Sequence, residues 1–276
     1  MNAQTPLLEV QGVHKHYHGV SALQGVSIQV QAGSITGLIG PNGSGKSTLF
    51  DCITGFQSKD KGTILLQGQD ISQLAPHQIA RQGLRRTFQQ LRFFPELTVR
   101  EHLLTAAQSS PGFGYLREIF NSADVRRHEA RMRELAHTVL RDIRLEAVAD
   151  HPAAGLSYGQ KKLMELGMAL MTQPKLLMLD EPSLGLAPFL VAEIFDIVKR
   201  INQSEGLSVL LVEQNAIAAL EVVSHGYLIE NGRIVMHDTA EAMKQNPDIQ
   251  EFYLGGAEGR DFNQIKHYRR RKRWLS

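Results

Sequence analysis

The segment GPNGSGKS, residues 40–47, constrains the fold of this chain more than any other stretch. It matches the pattern G-x-x-x-x-G-K-[ST], and it lies between an apolar run, ITGLI, and a helix-like run, STLFDCIT, that stops at Gly55. A glycine-rich turn at such a junction lets backbone N–H groups converge on phosphate oxygens, and the following helix directs its positive end at the same anion. The sequence therefore predicts a strand, a phosphate-binding loop and a helix, in that order.

The residues of this loop predict a site for the β- and γ-phosphates of a nucleotide. Lys46 supplies a mobile positive charge, and Ser47 offers a hydroxyl to the Mg²⁺ that bridges the two phosphates. An ordinary glycine-rich turn would not need lysine and serine at this spacing. We expect the following residues to bind the nucleotide: Asn42, Gly43, Ser44, Gly45, Lys46, Ser47 and Thr48.

The segment KLLMLDEP, residues 175–182, predicts the other half of the site. Asp180 stands at the exit of a buried strand, where its carboxylate can bind the hydration shell of Mg²⁺. Glu181 follows at once and is placed to accept a proton from attacking water, so we assign it as the general base. Alone, these residues would be typical of a polar turn, but their pairing with a phosphate-binding loop favours catalysis.

The segment LSYGQ, residues 156–160, predicts a second anion-binding helix end. Ser157 is suited to cap a helix, and Gly159 would let the backbone approach a ligand closely. Because the chain has one phosphate-binding loop, the simplest explanation is that this helix end serves a nucleotide held by another subunit. Read alone, the segment would be merely a capped helix.

The order of the remaining patterns predicts an α/β fold. Alternating apolar and polar residues in LLEVQGV and SIQVQAG indicate an N-terminal antiparallel β layer. A helical pattern replaces them over about residues 98–172, and strands then alternate with helices up to a hairpin at Asn231-Gly232. The prediction is a P-loop NTPase core with a mostly parallel sheet, binding ligands at the carboxyl ends of its strands, and an inserted helical subdomain.

Composition bounds the class of protein. A single cysteine, Cys52, excludes an internal disulfide, and we expect it to pack within the helix after the phosphate-binding loop. No apolar run approaches the roughly 18 residues needed to cross a bilayer, and the N-terminus lacks the features of a secretion signal, so we expect a cytosolic location.

His14, His16 and His18 alternate along one predicted strand and could ligate a metal, but side chains two apart on a solvated face need not converge on one ion.

The C-terminal tail is strongly basic. Six lysines and arginines fall within residues 266–273, and no acid follows Asp261. A solvated end, a contact with anionic lipid and a contact with nucleic acid all agree with this pattern.

The segments GPNGSGKS, TFQQ, LSYGQ and LLMLDEP, in this order and spacing, resemble the ATP-binding subunits of ABC transporters. The resemblance runs from about Leu7 to Gly256 and implies ATP and Mg²⁺ as cofactors. It implies that two ATPase subunits, identical or paralogous, enclose two ATP molecules head to tail. Ser157, Gly159 and Gln160 would then face the γ-phosphate bound by the partner.

The resemblance also implies roles for individual residues. Gln89 would contact Mg²⁺ and take part in catalysis beside the membrane subunits, and Tyr17 would stack on adenine. Gln214 stands where most relatives have a histidine that contacts the γ-phosphate and water, and Ala187 stands where many have an acid. We expect Gln214 to position water and γ-phosphate while Glu181 takes the proton. Both departures resemble one of the two paired ATPases of branched-chain amino-acid uptake systems, whereas the front half resembles the other.

The function that this resemblance implies is an ATPase on the cytoplasmic face of the inner membrane that energises import of branched-chain amino acids or related solutes. Its implied partners are a second ATPase subunit, two permease subunits and an external solute-binding protein, and no nucleic acid. Residues 7–256 would form the ATPase domain and residues 257–276 the basic tail. The alternatives are the ATPase of a lipid or lipopolysaccharide exporter, a nucleic-acid-associated ABC protein, and a noncatalytic ATP-binding module.

Overall fold

The computed structural model describes residues 5–87, 93–108 and 123–252, and within these ranges the strands form two sheets. The first sheet is antiparallel, with the strand order β2 (Val20–Val30), β1 (Leu8–Tyr17), β4 (Lys61–Leu66) and β5 (Gln69–Asp70). The second has the order β10 (Arg233–Thr239), β9 (His225–Glu230), β3 (Ile35–Ile39), β8 (Ser208–Glu213), β7 (Leu176–Asp180) and β6 (Leu84–Arg86). Neighbouring strands of this second sheet run parallel except for β10, which closes a hairpin with β9. The predicted antiparallel layer and mostly parallel sheet are confirmed.

The central strands β3, β7 and β8 are buried on both faces of the sheet, which explains why they read as nearly continuous apolar runs. In β8, Val209 and Leu211 pack into a core shared with the helices of the middle of the chain. Leu210 and Val212 point the other way, into a core shared with the antiparallel sheet. Strand alternation thus divides one apolar run between two cores, one on each face of the sheet.

Helices connect most strands of the second sheet and pack against it. The described helices are α1 (Lys46–Ile53), α2 (Pro76–Arg81), α3 (Val99–Gln108), α4 (Ala123–Asp142), α5 (Tyr158–Leu170), α6 (Pro188–Glu205), α7 (Ala216–Leu220), α8 (Ala240–Gln245) and α9 (Pro247–Phe252). Short 3₁₀ turns lie at Glu146–Val148 and Ala153–Gly155. None of the helices in the described ranges has the length and apolar character that would let it span a bilayer.

Helices α3, α4 and α5 form the predicted helical subdomain and meet at Gly167. A Cβ atom there would lie 2.9 Å from Leu103 Cδ2 on α3, 3.3 Å from Val139 Cγ1 on α4 and 2.6 Å from Ile143 Cδ1 just after α4, so the absence of a side chain lets the three helices approach closely. This packing fixes α5, which begins at the LSYGQ segment, against the rest of the subdomain. The predicted break between α3 and α4, PGFGY, lies outside the described residues.

Candidate functional site

The phosphate-binding loop joins β3 to α1 as predicted. Gly45 is the N-cap residue of α1 with φ of 108°, and no side chain caps the helix, so its first N–H groups remain available to an anion. A Cβ atom at Gly40 would lie 2.3 Å from the carbonyl oxygen of Ile229, and one at Gly45 would lie 2.7 Å from that of Ala22. These glycines are therefore required by close backbone packing around the loop.

Lys46 is held at the centre of the loop. Its Nζ donates hydrogen bonds to the carbonyl oxygens of Gly40 and Pro41, at 2.8 and 3.0 Å, and lies 3.4 Å from Glu181 Oε1. The side chain is almost fully buried, so these oxygens replace the water that an ammonium group loses on burial. The arrangement places a fixed positive charge between the loop and the general base assigned from sequence.

A cavity of about 380 Å³ opens beside this loop, a volume in the range of small-molecule sites. Part of its lining comes from the loop, the start of α1 and Glu181. The lining residues predicted from sequence are Asn42, Gly43, Gly45, Lys46, Ser47, Thr48 and Glu181. The rest of the lining, which the sequence did not predict, comes from β2 and the β9–β10 turn: Val20, Ser21, Ala22, Gln24, Asn231 and Gly232.

The β9–β10 turn is bonded directly to the phosphate-binding loop. Gly232 donates its N–H to the carbonyl oxygen of Ser44 at 2.8 Å, and its own carbonyl accepts from the N–H of Gln24 at 2.7 Å. Asn231 and Gly232 have φ of 48° and 76°, as a two-residue hairpin turn requires. The predicted hairpin is confirmed, and it contributes to the site as well as to the sheet.

Tyr17 does not line this cavity. Its ring is partly exposed, and the Lys15 ammonium lies 5.3 Å from its centre. The assignment of Tyr17 to adenine stacking stays a prediction. An apolar side chain that does line the cavity is Val20, which is 67% exposed.

Asp180 is the last residue of β7 and is 1% exposed. Its Oδ2 accepts a hydrogen bond from Arg86 Nη2 at 2.6 Å, whereas its Oδ1 has no hydrogen-bond partner in the described part of the chain. Burial raises the pKa of Asp180, and the Arg86 guanidinium partly offsets that rise. Ser44 Oγ is also buried without a partner among the described residues.

Glu181 has a backbone conformation that non-glycine residues seldom adopt. Its φ is 47°, which costs roughly 1–3 kcal/mol for a residue of this kind. A hydrogen bond from its N–H to the carbonyl oxygen of Val212, at 2.9 Å, holds this conformation. This conformation directs the Glu181 carboxylate toward Lys46 and into the lining of the cavity.

The acid that ends β8 and the two amides that follow the strand have separate roles. Glu213 is 1% exposed, and its two carboxylate oxygens accept from the N–H and hydroxyl of Ser183, at 3.0 and 2.7 Å. The Gln214 N–H donates to the same carboxylate at 3.2 Å, and the Gln214 side chain is exposed. Asn215 caps α7 by accepting from the N–H of Ala218. The bond to Ser183 was not predicted, although a buried acid after an apolar run signals a need for a partner.

The LSYGQ segment forms a reciprocal capping box at the start of α5. Ser157 Oγ accepts from the N–H of Gln160 at 3.2 Å, and Gln160 Oε1 accepts from the N–H of Ser157 at 2.9 Å. A Cβ atom at Gly159 would lie 2.9 Å from Leu190 Cδ1, so this glycine also has a packing role that the sequence did not predict. None of these residues lines the cavity beside Lys46.

Some predicted features fall outside the site or outside the described residues. Gln89 lies in the undescribed range 88–92, and the basic tail lies beyond residue 252. His16 Nδ1 is 3.0 Å from Asp60 Oδ2, and no group of three or more potential metal ligands of the types His, Cys, Asp and Glu occurs in the described ranges.

Comparisons with known proteins match most of this chain to one family. A family model described as "ABC transporter" matches residues 23–184. The high-affinity branched-chain amino acid transport ATP-binding protein BraF of Pseudomonas aeruginosa is 36% identical over 252 residues, which cover 91% of this chain and 99% of the relative. BraG of the same organism, which bears the same description, is 38% identical over 250 residues, covering 91% of this chain and 100% of the relative.

A solved structure matches over the same extent. The crystal structure of the ADP conformation of MJ1267, an ATP-binding cassette of an ABC transporter, has a TM-score of 0.77 and 34% identity to this chain. It covers 92% of this chain, and this chain covers all of it. The chain therefore belongs to the ABC transporter family, as an ATP-hydrolysing subunit that energises transport.

Proposed function

We propose that this chain hydrolyses ATP to drive import of branched-chain amino acids. The observation that carries the solute class is the pair of relatives BraF and BraG, both described as branched-chain amino acid transport ATP-binding proteins and both matched over nearly their whole length. These relatives favour the importer over a lipid exporter or a nucleic-acid-associated protein. The intact set Lys46, Asp180 and Glu181 argues against a noncatalytic ATP-binding module.

The residues fit MgATP. Ser44 Oγ and Asp180 Oδ1 are buried polar atoms with no partner in the described ranges, and such atoms favour a ligand that satisfies them. Ser47 and Asp180 offer the oxygen donors that Mg²⁺ prefers, and Gln89 joins them in our assignment. When bound, Mg²⁺ supplies positive charge to the phosphate oxygens.

The chain's own groups divide the chemistry of hydrolysis among them. The N–H groups of the loop and of the first turn of α1 bind phosphate oxygens. Lys46 gives up its hydrogen bonds to the carbonyl oxygens of Gly40 and Pro41 and binds phosphate oxygens instead. Glu181 accepts the proton of the attacking water from a carboxylate already turned into the cavity. Gln214, exposed just beyond Glu213, orients that water by hydrogen bonding.

A second ATPase chain completes the site. The N-terminus of α5 and the loop after β7 form one surface, because a Cβ atom at Gly185 would lie only 3.6 Å from the Tyr158 ring. Large apolar side chains are exposed on these segments and at the start of α6: Tyr158, Leu184 and Phe189. Exposed apolar groups beside a helix N-terminus support a protein interface at which this end meets a nucleotide on the partner.

The rest of the assembly follows from this assignment. We assign residues 7–256 to the ATPase domain, and place it at the cytoplasmic face of the inner membrane against two permease subunits. An external solute-binding protein delivers the amino acid to those subunits. The basic tail, residues 257–276, carries the charge needed to contact anionic lipid there.

Uptake by the assembled transporter tests this proposal. The tagged chain would be purified with its partners from host membranes and reconstituted in vesicles, with ATP on the side of the ATPase. We expect ATP-dependent uptake of labelled leucine, isoleucine and valine, abolished by Lys46→Met and retained in Lys175→Met, which removes an exposed lysine. Uptake of these amino acids that persists in Lys46→Met would contradict the proposal, as would a complex that moves only solutes of another class.

A further inference from the structure

Arg86 joins two acidic side chains on different elements. It is the last residue of β6, and its side chain is 13% exposed. One guanidinium nitrogen, Nη1, donates to Asp51 on α1, and the other, Nη2, donates to Asp180 Oδ2 at 2.6 Å. The guanidinium carbon lies 5.4 Å from the centre of the Phe50 ring. Two carboxylates and an aromatic face therefore hold this group in one position.

The two oxygens of Asp180 are consequently unequal. Oδ2 is committed to Arg86, whereas Oδ1 is buried and has no partner within the described ranges. A carboxylate bonded at one oxygen cannot rotate freely about its last torsion, so Arg86 decides where the other oxygen points. The backbone of β6 is itself fixed, because Thr87 donates its N–H to the carbonyl oxygen of Met178 at 3.0 Å.

We propose that Arg86 is a positioning residue for the cation of MgATP: it binds one oxygen of Asp180 and thereby turns the other toward the metal. This inference rests on the proposed MgATP site and adds a residue that does not itself touch the ligand. Partners of metal-binding carboxylates in other proteins commonly change metal affinity roughly 10–100-fold when they are replaced.

Arginine is suited to this role in a way that lysine is not. The planar guanidinium presents separate N–H groups to Asp51 and Asp180 at once, whereas the ammonium group of lysine is a compact point charge on a flexible stem. Arg86→Lys therefore keeps the positive charge near Asp180 and removes the fixed geometry. The matched control is Arg85→Lys, in the same strand, where alternation places the side chain on the opposite face.

The experiment measures the affinity of the purified chain for ATP by calorimetry, once with Mg²⁺ and once with excess EDTA. The dissociation constant in EDTA divided by the dissociation constant with Mg²⁺ gives a ratio that isolates the contribution of the metal. We expect Arg86→Lys to lower this ratio roughly tenfold or more, while its affinity for ATP in EDTA stays within about twofold of the parent. Arg85→Lys should leave both values unchanged.

An unchanged or increased ratio in Arg86→Lys would overturn the inference, because Arg86 would then act only as a counter-charge. An equal loss of affinity with and without Mg²⁺ would overturn it too. If Arg86→Lys fails to fold, Asp51→Asn removes the support of the guanidinium from the half-exposed side. A lowered ratio in that variant supports the inference, and an unchanged one overturns it. If the parent chain binds ATP equally well with Mg²⁺ and with EDTA, that result would contradict the proposed metal site itself.

Discussion

The Glu213 carboxylate accepts two hydrogen bonds from Ser183, one from its N–H at 3.0 Å and one from its hydroxyl at 2.7 Å. Glu213 ends β8 and Ser183 lies just beyond β7, so the pair joins the loops that follow two neighbouring parallel strands. One loop carries Gln214, and the other leads to the exposed Leu184. A single buried carboxylate thus fixes the proposed water-orienting side chain relative to the proposed interface with a second chain.

Glu213→Gln is expected to change how stability depends on pH. Burial raises the pKa of Glu213 above its ordinary 4.5, and the bonds from Ser183 partly offset that rise. Because the folded state binds this proton more tightly than the unfolded state, the parent loses stability as pH rises from 4.5 through the raised pKa. Glutamine has no proton to lose, so the free energy of unfolding of the variant should rise relative to the parent over that interval.

Urea denaturation at several pH values between about 4.5 and about 7.5 measures this difference. The exposed Glu241 provides the control, since Glu241→Gln removes no buried charge and should leave the pH dependence as in the parent. A stability difference between Glu213→Gln and the parent that stays constant with pH would refute the role given to burial.

Gly232→Ala is expected to damage the nucleotide site through the backbone. Its Cβ atom would lie 2.5 Å from the carbonyl oxygen of Ala22, whereas one at Gly68, which has the same φ of 76°, would meet nothing within 4 Å. Gly68→Ala should therefore cost only the backbone strain, roughly 1–2 kcal/mol. Gly232→Ala should cost about 1–3 kcal/mol more and also weaken ATP binding, because Gly232 donates to the phosphate-binding loop. Equal losses in the two variants, measured by denaturation and nucleotide titration, would contradict this account.

Cys52 should react slowly with thiol reagents in the native protein. Burial raises its pKa to about 11, while nearby lysines lower it and nearby aspartates raise it by smaller amounts. Since the thiolate is the reactive form, labelling at about pH 8 should be at least roughly 100-fold slower in the folded chain than in denaturant. A thiol reagent that releases a chromophore on reaction lets absorbance follow the labelling rate. The chain has a single cysteine, so the signal reports on Cys52 alone. Stoichiometric labelling of the folded chain within the dead time would contradict the buried placement.

The sequence predicted the features that depend on residues close together in the chain. The loop of residues 40–47, the strand that ends in Asp180 and Glu181, the cap at Ser157 and the turn at Asn231-Gly232 each follow from a local pattern. Local patterns suffice here because backbone freedom, capping and strand burial are properties of a few adjacent residues.

Contacts between distant segments could not be predicted in the same way. Arg86 and Asp180 meet because β6 and β7 are neighbours, and Gly232 reaches Ser44 because β9 lies beside β3. The strand order that creates these contacts depends on how the whole sheet packs. Gly159 illustrates a partial success, because its pattern indicated a close approach but not the Leu190 side chain against which it packs.

Sedimentation of the purified Glu181→Gln chain, with and without MgATP, tests the central claim that a second chain completes the nucleotide site. Removal of the general base blocks hydrolysis, so a closed pair should accumulate. We predict a monomer without nucleotide and a dimer with MgATP, and a return to monomer when Ser157→Arg is added to place a bulky side chain at the start of α5. A Glu181→Gln chain that is saturated with ATP yet sediments as a monomer at every concentration would contradict completion of the site by an identical partner.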